Sequence, residues 1–357
     1  SFPSETDPVL DSPLTLGVMP LTRGPLALIP TAPPEAANRN FGWNPPLLDT
    51  PKAHVVRVAA FIPGKIPVDA SGTWFVGQNF HQQHGVNIFS IIVDPDDFFD
   101  PERGIYVPGK IYDENGYGSD FWWRPNANYH QRGGKWERNG HLEYFESTAG
   151  SLLTSGHVGV SIHGNGSRVI PQKSLRLYAR NASEALRYPF FEERSHDEYQ
   201  RVLLRNSGQD WFRENPSMIK DALLQRWVLP LGLEQQAYTP TVEYLNGEFW
   251  GMHNLRERID PFYLSQLYEV DPDDVDLLYN NALVSDGGNE HYLEMMDFIR
   301  SNNLSDPAHY ATVSTYMDVE NFIDYLIVQT YLVNTDWPGN NVKHWREDAP
   351  GEQWRWL

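Results

Sequence analysis

The stretch SIHGNGSRVIPQKSLRLYAR, from Ser161 to Arg180, joins a glycine-rich turn to an alternating run of residues. Gly164 and Gly166 flank Asn165, and Arg168 follows them. Glycines at such a turn either supply positive φ between two strands or let backbone N–H groups surround phosphate oxygens. In the second case Arg168 would add positive charge. These residues alone leave both interpretations open.

The run that follows the turn alternates in the manner of a β-strand. In QKSLRLYA the alternation places Lys173 on one face with Leu175 and Leu177, while Arg176 and Tyr178 lie on the other. A buried lysine among apolar residues needs a partner. A phosphate or a carboxylate would serve, and so would an edge position from which the side chain reaches water.

A second constellation lies near the end of the sequence, in NTDWPGNN. Asp336 and Asn341 form a D-x-x-x-x-N pattern between a strong helix pattern and a short hairpin. In phosphoryl transfer of the protein-kinase type, an Asp orients the attacking hydroxyl and an Asn at this offset binds Mg²⁺. Asn334 and Thr335 replace the histidine and arginine that usually precede that Asp. The alternative is a turn that Asp336 and Asn340 cap.

Strand and helix patterns both occur, which predicts an α+β fold. Strands are predicted at HVVRVAAF, within IPGKIPVDASGTWFV, and at IFSIIV, GIYV, HLEYFES, HVGVSIHG, VKHW and WRWL. The dipeptide Asn246-Gly247 predicts a hairpin within Thr239–Asp260, because Asn-Gly favours the tight turn that joins two antiparallel strands.

Three helices are predicted in the second half of the chain. The first would have Asn215 as its N-cap and Pro216 at its first position, and the third would have Asp318 as its cap. The residues predicted to face the core are Ile219, Ala222, Leu223 and Trp227 in the first helix, Tyr292, Met295, Met296 and Ile299 in the second, and Phe322, Ile323, Leu326 and Tyr331 in the third.

Four motifs in this order resemble the spore-coat protein H (CotH) kinase family, which has an atypical protein-kinase-like fold. They are SIHGNGSRVIPQKSLRLYAR, IKDALLQRW, TVEYLNGEFWGMHNLRERID and NTDWPGNN with the final WRWL. VDPDDFFDPERGIYVPG and KWERNGHLEYFE resemble the N-terminal part of larger bacterial members. PPLLDTPKAHVVRVAAFIPGKIPVDASGTWFV resembles the β-sandwich module at the C-terminal end of chitobiases and hexosaminidases. The resemblance implies a kinase-like domain over residues 87–357 after a small all-β sandwich over residues 1–80.

The family resemblance implies a role for each matching position. The turn Gly164–Arg168 would lie beside the phosphates of ATP, and Lys173 would bind the α- and β-phosphates next to helix 216–229. Asp336 would be the catalytic residue and Asn341 a ligand of Mg²⁺. The residues implied to bind the nucleotide are Gly164, Asn165, Gly166, Arg168, Lys173, Arg176 and Glu257.

The kinase pattern has a further Asp, the main Mg²⁺ ligand, after the last hairpin, whereas this sequence stops at Leu357. We expect the domain to be truncated there, because a terminal apolar strand would leave an unpaired edge. The implied function is transfer of the γ-phosphoryl group of ATP to Ser or Thr of a coat or cell-surface protein. The alternative is a non-catalytic surface protein that binds carbohydrate or an envelope partner. A glycosidase has only the N-terminal likeness in its favour.

Composition excludes several classes of protein. The sequence has 47 acidic and 28 basic residues, a formal charge of −19, which argues against nonspecific binding of nucleic acid. Without cysteine, a thiolate nucleophile is excluded. The sequence has no run of 18 apolar residues, so no membrane span is predicted, and no signal peptide is visible. We expect an extracellular or cell-surface protein. Acidic runs such as DPDDVDLL predict solvated turns rather than calcium loops.

Overall fold

A computed structural model describes residues 3–33, 42–65, 68–77, 83–116, 126–180, 184–211 and 216–357. The chain forms two compact units. The first contains Ser1–Ile219 and Tyr238–Arg256, and the second contains Lys220–Ala237 and Glu257–Leu357. Helices and strands both occur, so the predicted α+β class is confirmed at that level. None of the described helices is long and apolar enough to cross a bilayer.

The first unit is built on a closed seven-stranded barrel, in the order β3-β4-β5-β6-β7-β9-β8. All neighbouring strands for which a register is described are antiparallel except β3 and β8, which are parallel. Its strands are β3 Asn87–Val93, β4 Arg138–Phe145, β5 Leu152–Ile162, β6 Leu175–Ala179, β7 Arg201–Arg205, β8 Tyr238–Leu245 and β9 Glu248–Glu257.

Alternation along the strands fills the barrel interior, since every second side chain points inward. Val160 faces Leu177 across the β5–β6 pair, and both are fully buried. The predicted hairpin of β8 and β9 is confirmed, with both Asn246 and Gly247 at positive φ. The strands predicted at IFSIIV, HLEYFES and HVGVSIHG are confirmed as β3, β4 and β5.

The N-terminal part of the chain packs on the outside of this barrel. β1 His54–Ala60 and β2 Val68–Trp74 form a two-stranded antiparallel sheet, which confirms both predicted strands. Thr73 Oγ1 lies 2.7 Å from Ser90 Oγ of β3. The sandwich module predicted over residues 1–80 remains a prediction, and in the structure this part belongs to the same compact unit as the barrel.

The second unit combines helices with a four-stranded sheet in the order β11-β10-β12-β13. The remaining strands are β10 Val275–Tyr279, β11 Leu283–Asp286, β12 Lys343–Glu347 and β13 Arg355–Trp356. The helices of the whole chain are α1 Pro95–Phe99, α2 Gly109–Asn115, α3 Lys220–Val228, α4 Pro261–Tyr268, α5 Glu290–Ser301, α6 Pro307–Tyr316 and α7 Val319–Tyr331, of which α1 and α2 lie in the first unit. Met295, Tyr325 and Trp354 lie in the main apolar cluster of the second unit.

Helices α5 and α7 were predicted well. The four residues predicted to face inward from α5 all belong to the apolar cluster or pack against it. The Asp318 carboxylate accepts a hydrogen bond from Asn321 N at 3.0 Å and so caps α7. The inward face predicted for α7 is wrong at Ile323 and Tyr331, whose side chains are exposed, whereas Tyr325 is buried instead.

The first predicted helix differs more from the structure. It begins at Lys220 rather than at Pro216, while the predicted cap Asn215 lies outside the described residues. Trp227 is 64% exposed, and Ile219 and Leu223 are exposed too, so only Ala222 of the predicted inner face is buried. The strand predicted at GIYV is also wrong, because Ile105–Val107 are buried but belong to no strand.

Candidate functional site

The glycine turn joins β5 to β6. Gly164 has φ +108°, in the region that favours glycine, and a Cβ there would lie 2.3 Å from Ser167 Oγ. Gly166 begins a short 3₁₀ helix that ends at Val169. Gly164 is therefore needed for its backbone conformation, as expected for a structural turn. A phosphate-binding turn can have the same conformation.

Arg168 is buried and holds the turn by hydrogen bonds to backbone carbonyls. Its Nε donates to Gly164 O at 2.7 Å and its Nη2 to Ile162 O at 2.7 Å. Its Nη1 donates to the carbonyl oxygens of Tyr129 and Gln131, both at 2.9 Å. Burial, with the nearby charges of other arginines, lowers the pKa of the guanidinium to about 9.

Lys173 is fully buried, as are Leu175 and Leu177, with which the alternation predicts that it shares a face. Its Nζ donates to Arg168 O at 2.8 Å and to Ile170 O at 3.1 Å, and it lies 3.8 Å from the centre of the Tyr129 ring. Burial, followed by the charge of Arg168, lowers the pKa of this amine well below its usual value. The partners of the lysine are thus carbonyls and an aromatic face.

Arg176 lies on the opposite side of β6, facing outward, as the alternation predicts. Its Nη1 donates to Tyr178 Oη at 3.0 Å, and its Nη2 donates to His163 Nδ1 at 3.0 Å. Among the described residues it forms no ion pair with a carboxylate. The same is true of Arg168 and Lys173, so three basic side chains around the turn have only neutral partners.

The predicted D-x-x-x-x-N residues come together on the loop between α7 and β12. Asn341 Nδ2 lies 2.5 Å from Asp336 Oδ2, and Asn340 Nδ2 lies 3.3 Å from the same oxygen. Asp336 N in turn donates to Asn334 Oδ1 at 3.2 Å. All four side chains are exposed to solvent. The Asp336 carboxylate thus bonds to Asn341, as the kinase pattern predicts, and also to Asn340, as the alternative of a capped turn predicts.

Glu257 lies at the end of β9 and is 2% exposed. Its Oε2 accepts a hydrogen bond from Ala237 N at 2.7 Å. The carboxylate therefore fixes the backbone just before β8. The predicted contact with the nucleotide remains a prediction.

The predicted site residues divide between the two compact units. The glycine turn, Lys173 and Arg176 belong to the first, while Glu257, Asp336 and Asn341 belong to the second. In the first unit Lys173 bonds to the backbone of Arg168 in the turn, and in the second unit Asn341 bonds to Asp336.

Comparison with protein families identifies the chain. The model of the family described as CotH kinase protein matches residues 160–357, which is more than half of the chain. The chain belongs to the CotH kinase family. The match begins one residue before Ser161 and includes the glycine turn, the β8–β9 hairpin and the Asp336 loop. No curated protein sequence matches this CotH protein.

Several residues around the glycine turn of this CotH protein were missed at the sequence level. Tyr106 is fully buried, and its hydroxyl accepts hydrogen bonds from Lys173 N at 2.8 Å and Trp250 Nε1 at 2.9 Å. Burial, then the charges of Lys173 and Arg168, lowers the pKa of His130 to about 3. Tyr106 and His130 reach the turn from segments far upstream in the chain, so no local signal identifies these contacts.

The second unit also has a pocket of about 400 Å³ that none of the predicted site residues lines. Its wall includes Asp273, Asp274, Glu294 and a buried ion pair in which Arg346 Nη2 lies 2.8 Å from Asp276 Oδ2. The acidic run DPDDVDLL, predicted as a solvated turn, forms part of this wall. The Asp271 carboxylate caps the start of the turn by accepting a hydrogen bond from Asp273 N at 3.0 Å.

Proposed function

We propose that this CotH protein is an ATP- and Mg²⁺-dependent kinase with an atypical kinase-like fold, which phosphorylates Ser or Thr hydroxyls of a coat or cell-surface protein. The observation that carries the proposal is the contact between Asp336 and Asn341 on an exposed loop, in a chain of a kinase family. In protein kinases this pair orients the acceptor hydroxyl and binds the metal.

The glycine turn supports the proposal from the phosphate side. Arg168, Lys173 and Arg176 lie around it without a carboxylate partner, although the chain as a whole carries a formal charge of −19. The positive field of the two guanidinium groups attracts a polyanion such as the triphosphate of ATP. Because Arg168 and Lys173 are committed to carbonyls, Arg168 acts on the phosphates through this field, and Lys173 acts through the shape of the turn that it helps to hold.

The exposed loop offers side-chain oxygen atoms of the kind that bind Mg²⁺. The ion prefers oxygen ligands and is usually held by one or two protein groups together with water and substrate phosphates. Asn341 donates to Asp336 through Nδ2, and the amide oxygen at the other branch of the same group is the ligand that it offers. When bound, the metal would offset the negative charge that develops on the transferred group.

Asp336 provides the acid–base step. Its carboxylate accepts the proton of the Ser or Thr hydroxyl while that oxygen bonds to the γ-phosphorus and the bond from phosphorus to the ADP oxygen breaks. The contact with Asn341 holds the carboxylate in one orientation before the substrate arrives. The products are ADP and the phosphorylated protein, and the proton leaves through Asp336.

Transfer of ³²P from labelled ATP to a surface-protein extract tests the assignment. Asp336→Ala should lower phosphate incorporation by about 10²-fold or more, because a positioned base contributes that much. Asp297→Ala, an exposed carboxylate on α5, is the matched control and should keep full incorporation. Circular dichroism should show both variants folded. Unchanged transfer by folded Asp336→Ala would contradict the proposal.

The burial of the Lys173 amine, whose donors are bonded to backbone carbonyls, favours one alternative, a non-catalytic surface protein that binds carbohydrate or an envelope partner on this scaffold. Thermal unfolding with Mg-ATP and, separately, with oligosaccharides distinguishes the two functions. Stabilisation by Mg-ATP alone supports the kinase, and stabilisation by oligosaccharide alone supports the binding protein.

A further inference from the structure

Two histidines lie opposite each other on the outer face of the barrel. His141 of β4 and His157 of β5 are directly paired across the two antiparallel strands, so their side chains point to the same face. The next residues along each strand, Leu142 and Val158, are buried on the other, inward face. His141 and His157 are called the histidine pair below.

The two rings are spaced as two ligands of a single metal ion are. Their centres lie 5.8 Å apart, and their planes are inclined at 80°. A zinc ion bonds to an imidazole nitrogen at about 2.0–2.1 Å, so two rings that share one tetrahedral ion have centres roughly 5–6 Å apart. A metal ion therefore fits between the rings without any shift of the strands, and rotation of the side chains is enough to direct one nitrogen of each ring towards it.

The ring nitrogens of the histidine pair are available to a ligand. Neither ring forms a hydrogen bond or an ion pair with any described residue. His253 shows the contrast, because its Nδ1 lies 2.9 Å from a Glu243 oxygen and its Nε2 lies 3.1 Å from Lys173 O. Burial, followed by the neighbouring His157, lowers the pKa of His141 to about 4, so this ring is neutral at pH 7 and keeps a lone pair for a metal.

Asp69 of β2 supplies negative charge beside the histidine pair. It lies on the same side of β2 as Thr73, which contacts Ser90 of the barrel. After burial and His157, the largest influence on the pKa of His141 is the charge of Asp69, which raises it and exceeds the opposite effect of Arg57. No described group of three carboxylates or imidazoles surrounds a common point. Water or a group from another molecule would thus fill the remaining positions of a bound ion.

We propose that the histidine pair binds a divalent transition-metal ion of the class of Zn²⁺ on the outer face of the barrel. Imidazole nitrogen suits zinc, copper and nickel, whereas Mg²⁺ prefers oxygen ligands. The site is therefore separate from the Mg²⁺ site proposed at the Asp336 loop, and it does not depend on kinase activity. The bound ion joins β4 to β5 and keeps open positions for a ligand from a partner molecule.

Isothermal titration of the full chain with ZnCl₂, at neutral pH and with MgCl₂ in excess, tests the site. We expect the tightest event to be the binding of a single zinc ion. His157→Ala should weaken it by at least about tenfold, because one of the two protein ligands is lost. His309→Ala, which removes a histidine from α6 of the second unit, is the matched control and should bind zinc as tightly as the parent protein. Asp336→Ala should do the same.

Imidazole NMR signals give a second measurement, in which zinc should shift the ring resonances of both His141 and His157. Absence of zinc binding by the parent protein would overturn the inference. So would equal affinity in His157→Ala, which places the ion elsewhere, and displacement of zinc by MgCl₂, which indicates a site made of carboxylates. Because His157 is exposed, its variant should fold, and circular dichroism confirms this. A loss of kinase activity in Asp336→Ala with zinc binding unchanged supports both proposals separately.

Discussion

At the scale of single residues, the least expected finding is that Arg168 serves the backbone. Its guanidinium donates four hydrogen bonds to four carbonyl groups, and each carbonyl would lose this partner if the guanidinium were removed. A buried acceptor that loses its donor costs about 1–3 kcal/mol. The turn that the sequence presents as a candidate phosphate loop is therefore also a tightly fixed structural element.

Replacement of Arg168 tests this role. Arg168→Met should lower the free energy of unfolding by about 3 kcal/mol or more, because several buried carbonyls lose their donors. Arg168→Lys should cost less, since an ammonium keeps three donors. Urea denaturation measures both. Arg300→Met, on exposed α5, is the control and should stay within about 0.5 kcal/mol. An Arg168→Met variant as stable as the control would refute the structural role.

His344 gives a prediction about pH. Its imidazole is fully buried, stacks on Trp356 at 5.5 Å, and lies 4.4 Å from the Tyr292 ring. Burial lowers its pKa from 6.5 to about 4, so the folded state favours the neutral ring. Stability from this group is complete above the unfolded pKa and is lost as the pH falls from about 6.5 towards 4, by about 3 kcal/mol.

His344→Phe keeps an aromatic ring and removes the titration. Its free energy of unfolding, measured in urea at several pH values, should fall less steeply below pH 6.5 than that of the parent protein. The difference between the two slopes isolates His344, because other buried histidines titrate in both proteins. Parallel curves would show that protonation of His344 does not oppose folding.

At the scale of elements, the N-terminal segment is connected to the glycine turn. The buried Glu248 carboxylate accepts hydrogen bonds from Leu26 N and Ala27 N, both at 3.1 Å. Further along, Thr31 Oγ1 donates to Pro171 O at 2.9 Å, and Ala32 packs in a small cluster with Val169 and Ile170. The segment before β1 thus packs on the loop that carries Arg168 and Lys173.

Glu248→Ala should release this segment. Loss of two charge-assisted hydrogen bonds at a buried site predicts a decrease of about 2–4 kcal/mol in stability. It also predicts faster hydrogen exchange at residues 169–170, which the segment covers. Glu352→Ala, at an exposed turn, is the control and should change neither measurement. Faster exchange around Leu26 alone would show that the segment is not coupled to the loop.

The sequence predicted correctly those elements whose formation depends on residues close together in the chain. The Asn246-Gly247 turn, the Asp318 cap and the period of α5 each depend on neighbours in the chain, and all three were confirmed. The start of α3 was wrong because Pro216 satisfies a local rule that the surrounding structure does not use. Closure of β3 onto β8 pairs residues more than 150 positions apart, which no local pattern encodes.

In the candidate site, too, contacts between residues close in the chain were predicted, and contacts between distant residues were not. The spacing of Asp336 and Asn341 predicted a contact within one loop, and the contact is present. The alternation of β6 placed Lys173 and Arg176 on opposite faces, as observed. The actual partners of Lys173 were beyond prediction, because Tyr129 and Tyr106 reach it from loops far upstream.

At the scale of the whole molecule, salt should have two effects. The charge of −19 predicts that salt stabilises the fold, whereas the basic turn predicts that salt weakens the binding of anions. Repulsion among excess carboxylates opposes the compact state, and salt screens it, with a screening length of about 10 Å at 0.1 M. The thermal midpoint should therefore rise between about 0.02 M and 0.2 M NaCl. Binding of Mg-ATP should weaken over the same range, because salt also screens the attraction between its phosphates and the arginines around the glycine turn.

Differential scanning fluorimetry and anisotropy at matched salt concentrations measure both responses. Sucrose in place of NaCl is the control for salt effects unrelated to charge, and it should leave the binding affinities unchanged. A thermal midpoint that falls with NaCl would mean that specific ion pairs, such as Arg346 with Asp276, outweigh the general repulsion. Anion binding that does not respond to salt would place the ligand away from the arginines, since attraction between exposed charges must decrease as screening increases.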